Sequence, residues 1–255
     1  MATAKKPGKD VAVKGGSTAL FLDERPDYVG TTRRGSEDVR AEDMSLPRLE
    51  IIQDLSPQRK KSDPAYIEGA EEGMAFNSAS NTLYGSSVIV IPCYYRKEWL
   101  LWKDRKAGGG FGGAYESQEQ AERELDHKED GDKWAINDTQ QHFCLLVHPD
   151  STEANPHIEE IVLSLSRTKM KMGRKLNTLV QTAGGDRFSR AYQLDVVQDS
   201  TDQGSFFNWS VKQLGYTPKY LFDLAEKVYE SIKAGTKNVS RDYGNADGSE
   251  IDAEM

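Results

Sequence analysis

Cations interleaved with aromatic rings are the residues of this chain best suited to chemistry. Tyr94, Tyr95, Arg96, Lys97, Trp99, Trp102, Lys103, Arg105 and Lys106 fall within 13 residues, and Gly108-Gly-Gly-Phe111-Gly-Gly follows directly. Between residues 96 and 106 five basic groups stand against two acidic ones, a local charge of +3. Single strands of nucleic acid are held by cations that track phosphates and by rings that stack on bases, each stack contributing about 1–3 kcal/mol. The glycine run with its one aromatic reads as a flexible finger able to close over a strand. The opposing reading makes the tryptophans core residues and the glycines a linker. Trp99 and Trp102 differ in strand parity, so they fall on opposite faces and one of them is expected to point outward.

A second basic concentration comprises Arg167, Lys169, Lys171, Arg174, Lys175, Arg187 and Arg190. Residues 161 to 192 hold these seven cations against the single Asp186, a local charge of +6. On a helical wheel Lys171, Arg174 and Lys175 sit opposite an apolar stripe, where they can reach phosphates. The plainer alternative is an ordinary solvated helix face. A third feature is acidic: residues 242 to 255 carry Asp242, Asp247, Glu250, Asp252 and Glu254 with no basic residue, −6 once the carboxylate of Met255 is counted. Such a string reads as an interaction tail. It can occupy a basic groove when nucleic acid is absent and reach partners when the groove is full; the alternative is a solubility tail. Two basic clusters in a chain of net charge −8 create local positive fields that the total conceals. A further acidic block, residues 116 to 132, with eight acidic and two basic groups, reads as a solvated helix or loop between strands.

Signals for catalysis are weak. His142, Cys144 and His148 share parity on one strand, with Cys93 on another, but the tight paired spacing of structural zinc ligands is absent. Same-face core packing fits them better, so no metal and no cofactor are expected. The phosphate-binding loop Gly-x-x-x-x-Gly-Lys-[Ser/Thr], Gly-x-Ser-x-Gly and His-Glu-x-x-His are all missing. The acidic residues cluster in loops and tails, so an enzyme is not expected.

The elements that must position these residues read as a β-rich α+β core. An apolar fraction of 37% lies below the globular norm of about 45–50%, a norm that also counts Gly, as expected when part of a chain lies outside any core. The layout is a flexible arm over 1–44, interrupted by the apolar island Ala19-Leu20-Phe21-Leu22, a core over 45–235 and a disordered acidic tail over 236–255. Within the core, 46–52 reads as a short strand and 66–84 as turns and short strands. Residues 87–102 form a long strand, apolar on both faces in its first half and bent at Pro92. Further strands are expected at 141–147 and 158–166, and a hairpin pairs Tyr192, Leu194 and Val196 with Phe207, Trp209 and Val211 across a turn at 199–204. Helices are expected over 168–182 and from Thr217-Pro218, an N-cap followed by a first-turn proline, to a stop at Gly235. A long bent strand is what a small closed barrel needs. Two cysteines are too few for a disulfide framework, and with no signal peptide or membrane-length apolar run a soluble cytoplasmic protein is expected.

With Leu46-Pro-Arg-Leu-Glu-Ile-Ile-Gln-Asp-Leu-Ser-Pro, Ile89-Val-Ile-Pro-Cys-Tyr-Tyr-Arg-Lys-Glu-Trp and the glycine run, the chain resembles the single-stranded DNA-binding proteins of tailed phages, which join an OB-fold core to an acidic C-terminal tail. The resemblance extends over about residues 46–235 in layout. It implies an OB-like small barrel with two helices, strand protection in phage replication or recombination, and tail-mediated contact with polymerase or helicase-primase in the host cytoplasm. Tails of that group end in an aromatic residue, whereas this chain ends Ala253-Glu254-Met255, leaving Met255 or Ile251 as the apolar anchor. No membrane partner is expected, and a homodimer is left open. The competing classes are an inhibitory or DNA-mimicking factor acting through its acidic surface and a metal-dependent nuclease.

Overall fold

The computed structural model describes residues 34–39, 46–201 and 204–235, with the Arg105 side chain excepted. The chain divides into a unit ending at Val39 and a unit beginning at Arg40. Of the first, 34–39 form turns in which the Gly35 N–H donates to Glu37 Oε2 at 2.7 Å. The apolar island at 19–22 and the tail from Asp242 to Met255 lie outside the described residues.

The second unit is organised by one long strand, β4 (Ser87–Lys103). Its first half is apolar on both faces because both are covered. Val88 and Val90 join Cys144 and Leu146 in one core, whereas Ile91 and Cys93 join Phe143 and Leu145 in another. The first core is closed by α2 (Met170–Ala183) through Met172, Leu176 and Val180, the second by α3 (Lys219–Lys233) through Leu221, Ala225, Val228 and Ile232. Each helix places these residues at the three- and four-residue spacing of a single stripe.

Along β4 run β6 (Trp134–Val147) over nearly its whole length, β8 (Arg190–Thr201) beside Ser87–Val90, and β5 (Phe111–Tyr115) beside Trp99–Trp102. With β7 (Ile158–Ser166) and β9 (Gly204–Tyr216) the order is β7-β6-β4-β8-β9, antiparallel throughout. The bend expected at Pro92 is a bulge: Pro92 pairs with Cys144, Tyr94 with Phe143, and Cys93 is the extra residue. A second, three-stranded antiparallel sheet consists of β1 (Leu49–Ile51), β2 (Ala75–Asn77) and β3 (Leu83–Gly85), and Leu49, Ile51 and Ala75 extend the α2-side core.

Three expectations are corrected. Among the described residues both sheets are open and no barrel closes, since β7 and β9 remain edges. With α2 and α3 packed on opposite faces, the large sheet is the middle layer of a sandwich rather than a wall around one core. Its β7 edge is covered by the segment before β1, where Val162 N–H donates to the Pro47 carbonyl at 2.8 Å and Arg48 bridges Val162. Among the described residues there are three α-helices where two were expected: the acidic block, expected as a solvated helix or loop, supplies α1 (Gln118–Asp126), N-capped by the Ser117 hydroxyl and buried only at Ala121. Thr217 does not cap α3. Its hydroxyl donates to the Phe188 carbonyl at 2.8 Å, and Pro218 itself occupies the N-cap.

Helix α2 begins after a tight turn, Arg167–Lys169, entered at Arg167 with φ of 48°. It lies close to the sheet at Gly173, where a Cβ would stand 2.1 Å from Gln140 Oε1 and 2.9 Å from Leu165 Cδ1. Any larger residue there would force the Gln140 and Leu165 side chains to move.

Candidate nucleic-acid interface

The far half of β4, past the bulge, carries the first predicted cluster, and there the cations are engaged. Arg96 reaches the buried Glu98 at 3.4 Å and lies 5.5 Å above the Phe143 ring. Lys97 pairs with Asp138 at 3.0 Å and lies 4.8 Å from the centre of the Trp99 ring. Lys103 pairs with Asp130 at 2.6 Å; the hydrogen bonds from Lys103 and from the Trp134 indole hold that exposed carboxyl down to about 2. Lys106 is exposed. The Lys97 and Lys103 pairs are partly exposed, and pairing of this kind contributes about 0–1 kcal/mol and is screened by salt, whereas Arg96 is held against a buried acid.

The aromatic residues divide. Tyr94 packs edge-on against Phe143 and beside Tyr229 of α3, so it belongs to the core rather than to a stacking platform. Trp99 and Trp102 are both half-buried, Trp99 beside Lys97 and Trp102 5.2 Å from Phe111. The glycine run is not a free finger: Phe111 and the glycines after it form β5, and Gly112 lies so close to Trp134 that a Cβ would meet the ring at 2.6 Å.

The second cluster also divides. Lys171, Arg174 and Lys175 are exposed on the outward face of α2, and none has a carboxylate partner among the described residues. Spaced at i, i+3 and i+4, they form a row about 6 Å long. Lys169, at the start of the helix, is half-buried.

Arg187 is not a surface cation. Its Nη2 donates to His142 Nδ1 at 2.8 Å and to Asn177 Oδ1 at 2.9 Å, and its guanidinium lies 5.4 Å from the Tyr95 ring. This fixes His142 as an acceptor at Nδ1. Burial, reinforced by the Arg187 charge, pushes the imidazole down to about 3, so it is neutral at pH 7. Burial likewise lowers the Arg187 guanidinium from its usual value. The loop that delivers Arg187 turns through Gly184 and Gly185, at φ of 69° and 76°, and charge counting along the sequence does not register that reversal.

Arg190 supplies what the sequence reading lacked. Its guanidinium lies 3.9 Å over the ring of Tyr216, its partner across the β8–β9 ladder, and Tyr216 is 71% exposed. A cation on one side of an open aromatic face is the arrangement that accepts a base. The signal available was a tyrosine at the end of a strand opposite an arginine, visible only once the hairpin register is known.

A group of buried polar residues lies on β4 and β6 past the bulge. Glu98, Thr139, Gln140, Gln141 and His142 are all buried. Gln141 Nε2 donates to Glu98 Oε2 at 3.3 Å, and the Ser164 hydroxyl donates to Gln141 Oε1. The cysteines are core residues, as expected: burial pushes the Cys144 thiol up to about 12 and raises that of Cys93 as well.

Over residues 14–238 the sequence matches the family described as Pam3 phage gp34-like protein. The chain belongs to that family. The match takes in the whole large sheet and all three helices, which makes this a phage protein, and it stops short of the acidic string from Asp242. No curated protein and no solved structure matches the chain. Among the described residues no helix is long and apolar enough to cross a membrane.

Proposed function

We propose that this phage protein is a sequence-tolerant single-stranded DNA-binding protein that protects or organises single strands during replication or recombination. The observation that carries the reading is the row Lys171, Arg174 and Lys175: an outward cationic face, without carboxylate partners among the described residues, on a chain of net charge −8. In a protein repelled by polyanions overall, an unneutralised row of this kind is a place for phosphates. Tyr216 under Arg190, and Trp99 beside Lys97, are the rings on which bases would stack. Asp242, Asp247, Glu250, Asp252, Glu254 and Met255 would act as an electrostatic competitor for the same cations and as the contact for a polymerase or helicase-primase. This mode needs no closed barrel and no bond-making chemistry.

The deciding experiment is a fluorescence titration of the full chain with oligo-dT over a range of salt. Binding at low salt, with tryptophan quenching and an affinity falling by roughly 0.7 log units per phosphate contact for each tenfold rise in salt, supports the reading. No binding at low salt sinks it. Removing 236–255 should tighten binding by a strand binder, whereas a DNA mimic acting through the tail would lose its partner instead.

A further inference from the structure

We propose that the closed end of the β6–β7 hairpin is a binding site for a first-row divalent transition-metal ion, zinc being the reference case, with His148, Asp150 and His157 as ligands. The connection between these strands runs His148-Pro-Asp150-Ser-Thr-Glu-Ala-Asn-Pro-His157, a histidine at each end with a proline beside it. His148 N–H donates to the His157 carbonyl at 3.1 Å, so the two histidines are the pair that closes the ladder, side by side on one face. Their rings stack 3.7 Å apart at 6°. Asp150 folds back over the loop to meet His157 Nδ1 at 2.8 Å, and His157 N–H is pinned by Ser151 Oγ at 3.0 Å.

Ligand atoms of His148, Asp150 and His157 all lie within 4.8 Å of one another. Atoms bound about 2.0–2.2 Å from one tetrahedral ion stand roughly 3.4 Å apart, so binding requires the loop to close by about 1 Å and the stacked imidazoles to rotate until their in-plane nitrogen lone pairs converge. Glu159, two residues beyond His157 on the same strand face, places Oε1 2.6 Å from His148 Nε2 and can complete the tetrahedron in place of water.

What distinguishes this cluster from a surface ion pair is the support behind it. The other Glu159 oxygen accepts from Tyr84 Oη at 2.7 Å and from Asn77 Nδ2 at 2.8 Å, both carried by the small sheet. Ligating carboxylates are oriented by outer partners of this kind. Two imidazoles with two carboxylates suit zinc, cobalt, nickel or copper, whereas magnesium and calcium prefer all-oxygen sites.

The test uses the full chain stripped with a chelator. Titration with Zn²⁺ against a chromophoric competitor should show one ion bound per chain, with a raised thermal midpoint, and Mg²⁺ should not compete. His157→Gln, an exposed change outside both cores, should weaken zinc by more than the roughly 10–100-fold that loss of an outer partner costs. Tyr84→Phe should weaken it by about tenfold. Both variants should keep the wild-type circular dichroism and oligo-dT affinity, and the cobalt(II) form should lose its visible absorption in His157→Gln. Failure of the wild type to take up zinc at micromolar concentrations, or undiminished uptake by His157→Gln, overturns the proposal.

Discussion

The two halves of β4 make different bargains with the same partner strand. Up to the bulge, Val88 to Cys93 face helices on both sides, and Ile89 to Pro92 pair with Val147 to Cys144 in an apolar environment. After it, Arg96 to Lys103 run beside residues 134–141, and contacts there are made by Glu98, Asp138 and Asp130. The strand is continuous, so backbone hydrogen bonding is not what separates the halves. Coverage by α2 and α3 is. Where a helix lies on each face the side chains can be hydrocarbon; where the helices end, cations are held in place by acids from β4 itself, from β6 and from the turn before β6.

Truncation should expose this difference most clearly. Leu145→Ala, in the covered half, should cost about 2–5 kcal/mol in denaturant unfolding; a cost under about 1 kcal/mol would mean that the two-sided core does not dominate. Acid comes next. The unfolded chain protonates His142 near 6.5, but the native state only at about 3. The native state therefore binds fewer protons across that window and loses stability as pH falls, by at most about 1.4 kcal/mol per pH unit. The stability difference between wild type and His142→Asn should shrink with acidification from pH 6.5 toward 4, and a difference that stays flat contradicts the buried neutral imidazole. Arg187→Met should then cost about 1–3 kcal/mol, because His142 Nδ1 and Asn177 Oδ1 lose their donor. If that variant is as stable as wild type but binds oligo-dT poorly, Arg187 is a surface cation after all. Smallest of all, Lys97→Met in the uncovered half should change stability by less than about 1 kcal/mol, and less still at high salt.

What the sequence shows of this molecule is its periodicity. The apolar run at 88–91, the β8–β9 hairpin and the stripes of α2 and α3 are local patterns, and the structure contains each of them, although the hairpin strands run on to Thr201 and from Gly204, through most of the residues expected as its turn. The bulge at Pro92 was legible for the same reason, since a proline removes a ladder donor wherever the strand pairs. Closure of a barrel was not, because it depends on whether the edges β7 and β9 meet, and no local pattern encodes that distance. The interface was half legible. Lys171, Arg174 and Lys175 emerge from the wheel as they lie in space, but Lys97 and Asp138 become partners only through the β4–β6 register. Arg187 misled for the opposite reason: a cation in a basic stretch is counted as surface until the glycines before it turn the chain inward. The hairpin histidines are not legible as a pair, because parity along one strand groups His148 with His142 and Cys144, whereas His157, nine residues on, comes beside it only through the β6–β7 register.

The extra residue at Cys93 also sets the phase of everything after it. Upstream, even-numbered residues of β4 face α2; downstream, Tyr94 and Arg96 lie on the α3 side with Phe143, while Tyr95 meets His142 and Arg187 on the other. One residue of slack turns the second half of the ribbon over. Were Cys93 drawn into the ladder instead of bulging, composition, charge and strand length would stay the same, yet Lys97 and Trp99 would lie on the face that Arg96 and Glu98 now occupy. The position works as a counting mark for which side of the molecule is offered to a ligand, and length changes in this strand between family members can be read as exchanges of face.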